Sequence, residues 1–330
     1  MTDNRASNID ISIIIPVYNT SKFLKECIDS LFSQTIAQRI QYVFINDAST
    51  DCSLQLLQKH KAKHPFLNIV VISNQKNSGS ATTRNTGIKH AEGKYLMFVD
   101  SDDWIEPNMA ETLLNEAITY DADTVTSAFY INTPTEQQVM LYNESERELD
   151  INSAPNDVLH FSLCNKIILR SLIVDNKLSA CDSVNCWEDL SVTSRAIALA
   201  KRNVILNTPL YHYRKSGQES LSSANHKAIL RDHLKYVDFL EEWFTKQGDD
   251  LHNKHIDFLQ RLKFVAKIKM LRGDVVEISR WKNTYPDTNR MITKVAKQYS
   301  AAARLAFWAA AICPTPVVKL IASLIGKRAE

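Results

Sequence analysis

Glycine is scarce in this chain, seven in 330 residues, and neither glycine-built phosphate loop is present. The loop after the first apolar run reads Val17-Tyr18-Asn19-Thr20-Ser21. A dinucleotide-binding turn needs Gly-x-Gly-x-x-Gly there, so that backbone can approach a pyrophosphate, and no Gly-x-x-x-x-Gly-Lys-Ser/Thr run follows either. A Rossmann oxidoreductase and a P-loop NTPase are set aside. Cysteine is sparse too: Cys27, Cys52, Cys164, Cys181, Cys186 and Cys313 form neither a zinc-type double pair nor a disulfide framework. They read as free thiols in a reducing cytoplasm. A spanning hydrophobic run is also missing, because the uncharged part of the C-terminal apolar stretch (residues 305–318) falls short of ~20 residues and contains Pro314 and Pro316. Residues 1–8 are polar, so no signal peptide is expected.

What is present is an ordinary globular composition, 45% hydrophobic and 23% charged, with an uneven charge distribution. The net charge is +2, yet residues 251–330 carry fifteen Lys or Arg against five Asp or Glu, which leaves residues 1–250 at −8. The basic end lacks an aromatic–basic module or zinc motif, and the rest is acidic, so nucleic acid is not an expected partner.

Apolar runs and helical patterns alternate. Ile11–Val17 is a buried strand, residues 21–35 carry Leu24, Cys27, Ile28, Leu31 and Phe32 at helical spacing, and Ile40–Asn46 is a second strand. A helix through Leu54 and Leu57 to Lys63 is closed by Pro65; a third strand, Asn68–Ser73, leads to a helix bearing Arg84 and Asn85. Residues 94–99 form a fourth strand that ends in Asp100-Ser101-Asp102-Asp103. This is the pattern of a doubly wound α/β sheet. Its polar clusters all fall at strand carboxyl ends, where such sheets bind ligands. Crowded carboxylates repel, and a divalent cation shared with a phosphorylated ligand would relieve them; the alternative is a solvated turn that caps the next helix.

Later segments predict a helix over 107–120, a strand over 123–129, a polar aperiodic stretch over 130–157 and a strand over Asn203–Arg214. A helix opens at Trp187-Glu188-Asp189-Leu190, where the acids either carry chemistry or complement the helix dipole.

Four stretches in order carry a family resemblance: Ile14-Ile15-Pro16-Val17-Tyr18-Asn19; Asn46-Asp47-Ala48-Ser49-Thr50-Asp51; Gly79 with Arg84-Asn85-Thr86-Gly87; and Asp100-Ser101-Asp102-Asp103. The chain resembles glycosyltransferase family two, departing at Asn46, where that family often has a second acid. The resemblance implies a GT-A fold, a Rossmann-like mostly parallel sheet with helices on both faces, and inverting transfer of a hexosyl or N-acetylhexosaminyl group supported by Mn²⁺ or Mg²⁺. It implies that Pro16, Tyr18 and Asn19 line a uridine pocket, that Asp47 meets the uracil edge and that Arg84 contacts the nucleotide. Ser101 lies in the donor-binding stretch, Asp102 would ligate the metal and Asp100 the metal or the ribose. Asp189 would be the general base, supported by Glu188. His212 is a further candidate metal or phosphate ligand, or a structural residue; Arg214 is a candidate diphosphate clamp.

The expected division is a catalytic domain over 1–224, with a nucleotide-sugar half (9–128) and an acceptor half (129–224), followed by a basic helical region over 225–330. The expected partners are a UDP-sugar donor and a saccharide or lipid-linked acceptor of surface polysaccharide synthesis. Arg304, Lys319, Lys327 and Arg328 flank the last apolar stretch. That stretch would dock on the inner face of the plasma membrane, or pack on the domain or in a homo-oligomer. The rivals are a catalytically silent nucleotide-sugar-binding subunit, which would not need Asp189, and a sugar-nucleotide pyrophosphorylase, which would need a Gly-rich N-terminal loop.

Overall fold

The computed structural model describes residues 9–143, 147–152, 158–181, 187–215, 226–268, 270, 280–291 and 308. Two compact units comprise Met1–Gln218 and Glu219–Glu330.

In the first unit, four apolar runs form β1 (Ile11–Val17), β2 (Ile40–Asn46), β3 (Asn68–Ser73) and β4 (Tyr95–Phe98), all parallel, in the order β3-β2-β1-β4. Every residue of β2 and β4 is buried, as expected for strands covered on both faces. The crossovers are α1 (Ser21–Phe32), α2 (Ser53–Lys63) and α3 (Gly79–His90). Amphipathic α1 buries Leu24, Cys27, Ile28 and Leu31. The third helix has no apolar stripe, and packs instead through small residues. A Cβ on Gly87 would stand 2.3 Å from Ile14 Cγ2 and 2.9 Å from Ile45 Cδ1, so the α3 backbone lies directly against β1 and β2.

The unit continues through β5 (Trp104–Ile105), α4 (Met109–Thr119), β6 (Thr124–Asn132), β7 (Gln137–Met140), α5 (Val158–Phe161), β8 (Lys166–Leu169), α6 (Arg170–Asp175), α7 (Glu188–Leu199) and β9 (Asn203–Arg214). The full order is β3-β2-β1-β4-β8-β6-β9-β5, with β7 on β6. Reversed β8 joins β4 to β6, and β9 runs parallel to β6. The sheet is therefore mostly parallel, with β5, β7 and β8 reversed. Those three strands and α6 span two to six residues, too short for periodicity to register. Part of the stretch read as aperiodic is the β6–β7 hairpin.

The second unit is helical where described. Its α8 (His226–Lys246), α9 (Asp249–Lys254) and α10 (Ile256–Ile268) bury Tyr236, Val237, Leu240 and Phe244 along with Phe258, Leu259 and Leu262. Among the described residues no helix is long and apolar enough to cross a membrane. Apart from Trp308, the stretch expected to dock on membrane lies outside the described residues, as do Cys186 and Cys313.

Candidate active site

Two groups of acids, nearly ninety residues apart in the chain, meet at one buried guanidinium. Arg84 projects from α3 with a side chain only 5% exposed. Its Nη2 donates to Asp100 Oδ1 at 2.9 Å, its Nη1 donates to Glu188 Oε1 at 3.1 Å, and Nη1 also lies 3.0 Å from Asp189 Oδ1. Arg84, expected to contact the nucleotide, pairs the end of β4 with the start of α7, and its buried Nε has no hydrogen-bond partner among the described residues. Further donors fix the acids: Ser80 Oγ donates to Glu188 Oε1 (3.0 Å), Leu163 N to Asp189 Oδ2 (3.2 Å) and the Cys164 thiol to Asp100 Oδ2 (3.2 Å). Burial pushes Asp189 up to about 6; Arg84 opposes this, and Glu188 and Asp100 add to it.

The remaining acids of the β4 end differ in role. Asp103 is buried, with its carboxylate accepting from Tyr211 Oη (2.5 Å) and Arg214 N (2.7 Å), which latches β9 to this strand end. Burial, then Asp102 and Asp100, push Asp103 well up. Asp102 is the carboxylate left open. Burial and then Asp100 raise it to about 6, Arg214 opposing. Apart from its own N–H, no described residue donates to that carboxylate. Ser101 is buried, its Oγ accepting from Thr20 Oγ1 at 2.9 Å.

The other expected ligands make contacts within the first unit or stand exposed on it. Asp47 is 3% exposed; it accepts from Asn74 Nδ2 (2.7 Å), Ser78 N and Oγ, and Gly79 N (2.9 Å), so it caps α3 across the chain and has little acceptor capacity left for a base. Asn19, at φ 52°, accepts from Thr50 N (2.8 Å) and ties the loop after β1 to the loop after β2. Pro16 is half-buried in β1, opposite Ile45. Tyr18 is 45% exposed and offers a free ring face. Arg214 Nε donates to the Asp102 carbonyl (2.7 Å), Nη2 pairs with Glu26, and the guanidinium lies 4.4 Å from the Trp104 ring centroid. His212 stacks between Trp104 and Tyr130, with Nε2 2.9 Å from Glu106 Oε1 and Nδ1 near Asn132. Both of its ring nitrogens therefore have polar neighbours within the first unit.

Tyr213 stands in the strand expected over Asn203–Arg214 and was given no role from the sequence. It shares a strand face with Tyr211, is 38% exposed, and has its hydroxyl raised by burial and by the charges of Asp103, Asp100 and Asp102. Strand alternation puts it on the face of Tyr211, but which acids that face meets depends on the pairing of β9.

No three His, Cys, Asp or Glu side chains among the described residues form a ready metal cage. Mg²⁺ does not need one, since it binds one or two carboxylates and completes its shell with water and phosphate oxygens. Asp102, desolvated and without a partner, fits such a cation.

The family model for Glycosyl transferase family 2 matches residues 12–175. The minor teichoic acid biosynthesis protein GgaB of Bacillus subtilis (strain 168) is 27% identical over 305 residues, 89% of this chain and 33% of that protein. A poly(ribitol-phosphate) beta-glucosyltransferase of Bacillus spizizenii is 30% identical over 271 residues, 78% of this chain and 42% of that protein. The chain thus spans a third to two fifths of these relatives. The crystal structure of S. aureus TarS 1-349 superposes with a TM-score of 0.73 at 20% identity, covering 97% of this chain and 92% of that one; its UDP-GlcNAc complex gives 0.68 at 21% identity, with the same coverage. Mannosyltransferase PcManGT from Pyrobaculum calidifontis, in complex with GDP-Man and Mn²⁺, gives 0.53 at 14% identity, covering 97% and 85%. The structures share the fold, the family model spans all four motif stretches read from the sequence, and the chain belongs to glycosyltransferase family 2.

Proposed function

We propose that this chain transfers a sugar, with inversion, from a UDP-sugar to a hydroxyl of a cell-surface glycopolymer or its lipid-linked precursor. The observation that carries the reading is the Arg84 junction: one guanidinium lies 2.9 Å from Asp100 Oδ1 and 3.0 Å from Asp189 Oδ1, which supports Asp189 as a base acting near the β4 acids. Asp189, at about 6, is ionised at neutral pH yet basic enough to take the proton of an attacking hydroxyl. Leu163 N donates to it, and Arg84, which also pairs with Glu188, keeps its charge tolerable. Tyr18 supplies a flat wall for the base of the donor, while Asp47 keeps the loop behind that wall and the start of α3 in register.

Asp102 would hold the divalent cation, whose chemistry is to neutralise charge on the departing nucleoside diphosphate. Asp100, bonded to Arg84 and Cys164, is placed to orient the site rather than to ligate. Support for the donor comes from the UDP-GlcNAc complex of TarS, and for the metal from the Mn²⁺ complex of PcManGT. Support for the acceptor class comes from the names of two relatives, a minor teichoic acid biosynthesis protein and a poly(ribitol-phosphate) beta-glucosyltransferase.

A thermal-shift series with UDP-GlcNAc, UDP-glucose and GDP-mannose, each with and without Mn²⁺, tests the reading. A UDP-sugar should raise Tm, and raise it further with Mn²⁺, because a ligand that binds only the folded state stabilises it by mass action. No shift with any UDP-sugar, or a shift with GDP-mannose alone, would overturn it.

A further inference from the structure

Helix α7 carries the candidate base, yet the residue that opens it does little to fix its first turn. The helix is entered through Trp187 at φ 66°, a left-handed position that residues with a Cβ seldom adopt. An indole only donates, so Trp187 has no side-chain oxygen to offer the free N–H groups of that turn. Where Glu188 and Asp189 stand therefore depends on what holds the helix from outside. Arg84 and Leu163 N are two such holds, and both act on the carboxylates themselves.

The residue after Arg84 supplies another, through the backbone. Asn85 Nδ2 donates to Ala180 O at 3.0 Å, and Asn85 Oδ1 accepts from Ala180 N at 2.8 Å. A primary amide carries donor and acceptor side by side, so Asn85 meets both backbone groups of one residue as a neighbouring strand would. Ala180 is buried, where the loss of both bonds would not be made good by water. The residues on either side of Ala180 are bonded to α7. Cys181 N donates to Ser191 Oγ (3.2 Å), and that hydroxyl donates to the Glu188 carbonyl (2.6 Å). One turn further on, Arg195 donates from Nε to Ser191 O at 2.6 Å and from Nη2 to Ser179 O. Residues 179–181 form a short splint, bonded to α3 at its centre and to α7 at its two ends.

We propose that Asn85 is a positioning residue for glycosyl transfer: through residues 179–181 it sets the first turn of α7, and with it the Asp189 carboxylate, against Arg84. The inference rests on Asp189 being the base and names what holds it in place. A base must lie within hydrogen-bond reach of the proton it takes, and a misplacement of about 1 Å can cost a rate on the order of 10²-fold. Loss of the splint acts on that reach. The donor-side loops after β1 and β2, tied to each other by Asn19 and Thr50, are not part of it.

The test uses the full chain and two substitutions, one on each side of the splint. Asn85→Leu keeps the size of the side chain and removes both bonds to Ala180. Ser191→Ala removes the hydroxyl that joins Cys181 N to the Glu188 carbonyl, in a helix that tolerates alanine well. Amide hydrogen exchange needs no substrate: in Asn85→Leu the Ala180 N–H should exchange at least about tenfold faster, with β1 and β2 unchanged. Transfer kinetics and UDP-GlcNAc affinity with Mn²⁺ are then measured for each variant, alone and combined with Asp189→Asn. Asn85→Leu should lower kcat about tenfold and leave UDP-GlcNAc affinity within about twofold of wild type. It should lower the rate no further once Asp189 is Asn, because a residue that acts through the base has nothing left to position. Ser191→Ala should show the same pattern more weakly, since Arg195 still holds Ser179 O. An unchanged kcat in both variants, a loss of UDP-GlcNAc affinity as large as the loss of kcat, or an equal further loss in the Asp189→Asn background would overturn the proposal. Failure of the parent reading would show separately, as Asp189→Asn alone transferring at the wild-type rate while the faster exchange at Ala180 persists.

Discussion

At Arg84 one guanidinium meets three carboxylates in a nearly closed environment, and removing it leaves those charges without a counterion. Arg84→Leu is expected to cost about 3–5 kcal/mol in urea unfolding, with Arg84→Lys in between, because an ammonium cannot fork between Asp100 and Glu188. Asp102 should behave in the opposite way. Its folded-state value of about 6 lies above the ordinary 3.8, so the stability it contributes is present at low pH and lost as pH rises through about 6. Asp102→Asn should therefore raise Tm of the metal-free protein at pH 7.5, by about 1–2 kcal/mol of stability, while abolishing the extra shift that Mn²⁺ gives with a UDP-sugar. A Tm unchanged or lowered in the metal-free protein would contradict this account of Asp102. The identities of these acids were legible as motif positions. Their partners were not, because Asp47 finds its donors 27 to 32 residues away and local sequence does not say which way Arg84 points.

Among the elements, α3 has the least local reason to exist and the most to position. With no apolar stripe, it is held by contact with β1 and β2 at Gly87 and by the Asp47 cap at Gly79. Gly87→Ala would force a methyl to 2.3 Å from Ile14 and should cost about 1–3 kcal/mol. It should also lower transfer activity, because any shift of α3 moves Arg84; calorimetry and an activity assay on the same preparation would check both. The long strands and helices of the first half were legible because continuous apolar runs and helical spacing agree there. Reversed β8, which joins the two halves of the sheet, was not: Lys166–Leu169 is four residues long, and only its pairing with β4 and β6 makes it a strand.

For the whole molecule, the sheet order turns distance in sequence into proximity. Strands β1, β2 and β4 bring three loops to one edge. Reversed β8 then carries the chain back past β4, so that Leu163 and Cys164 reach the acids before α7 delivers Glu188 and Asp189. The class of fold was readable from strand–helix alternation, but the convergence of α7 on β4 needed the topology. The pH profile belongs to this scale too, since Asp189 feels Asp100 and Arg84 from other elements. With Asp189 as base, kcat/KM should rise with pH through about 6 and level off above it, because only the ionised carboxylate accepts a proton; a flat profile between pH 5 and 8 would contradict that role. The most direct test of Asp189 as the base is Asp189→Asn, measured for both UDP-GlcNAc affinity in the presence of Mn²⁺ and transfer rate. The account predicts affinity within about twofold of wild type and a transfer rate lower by about 10²–10⁴. Transfer at the wild-type rate would contradict it.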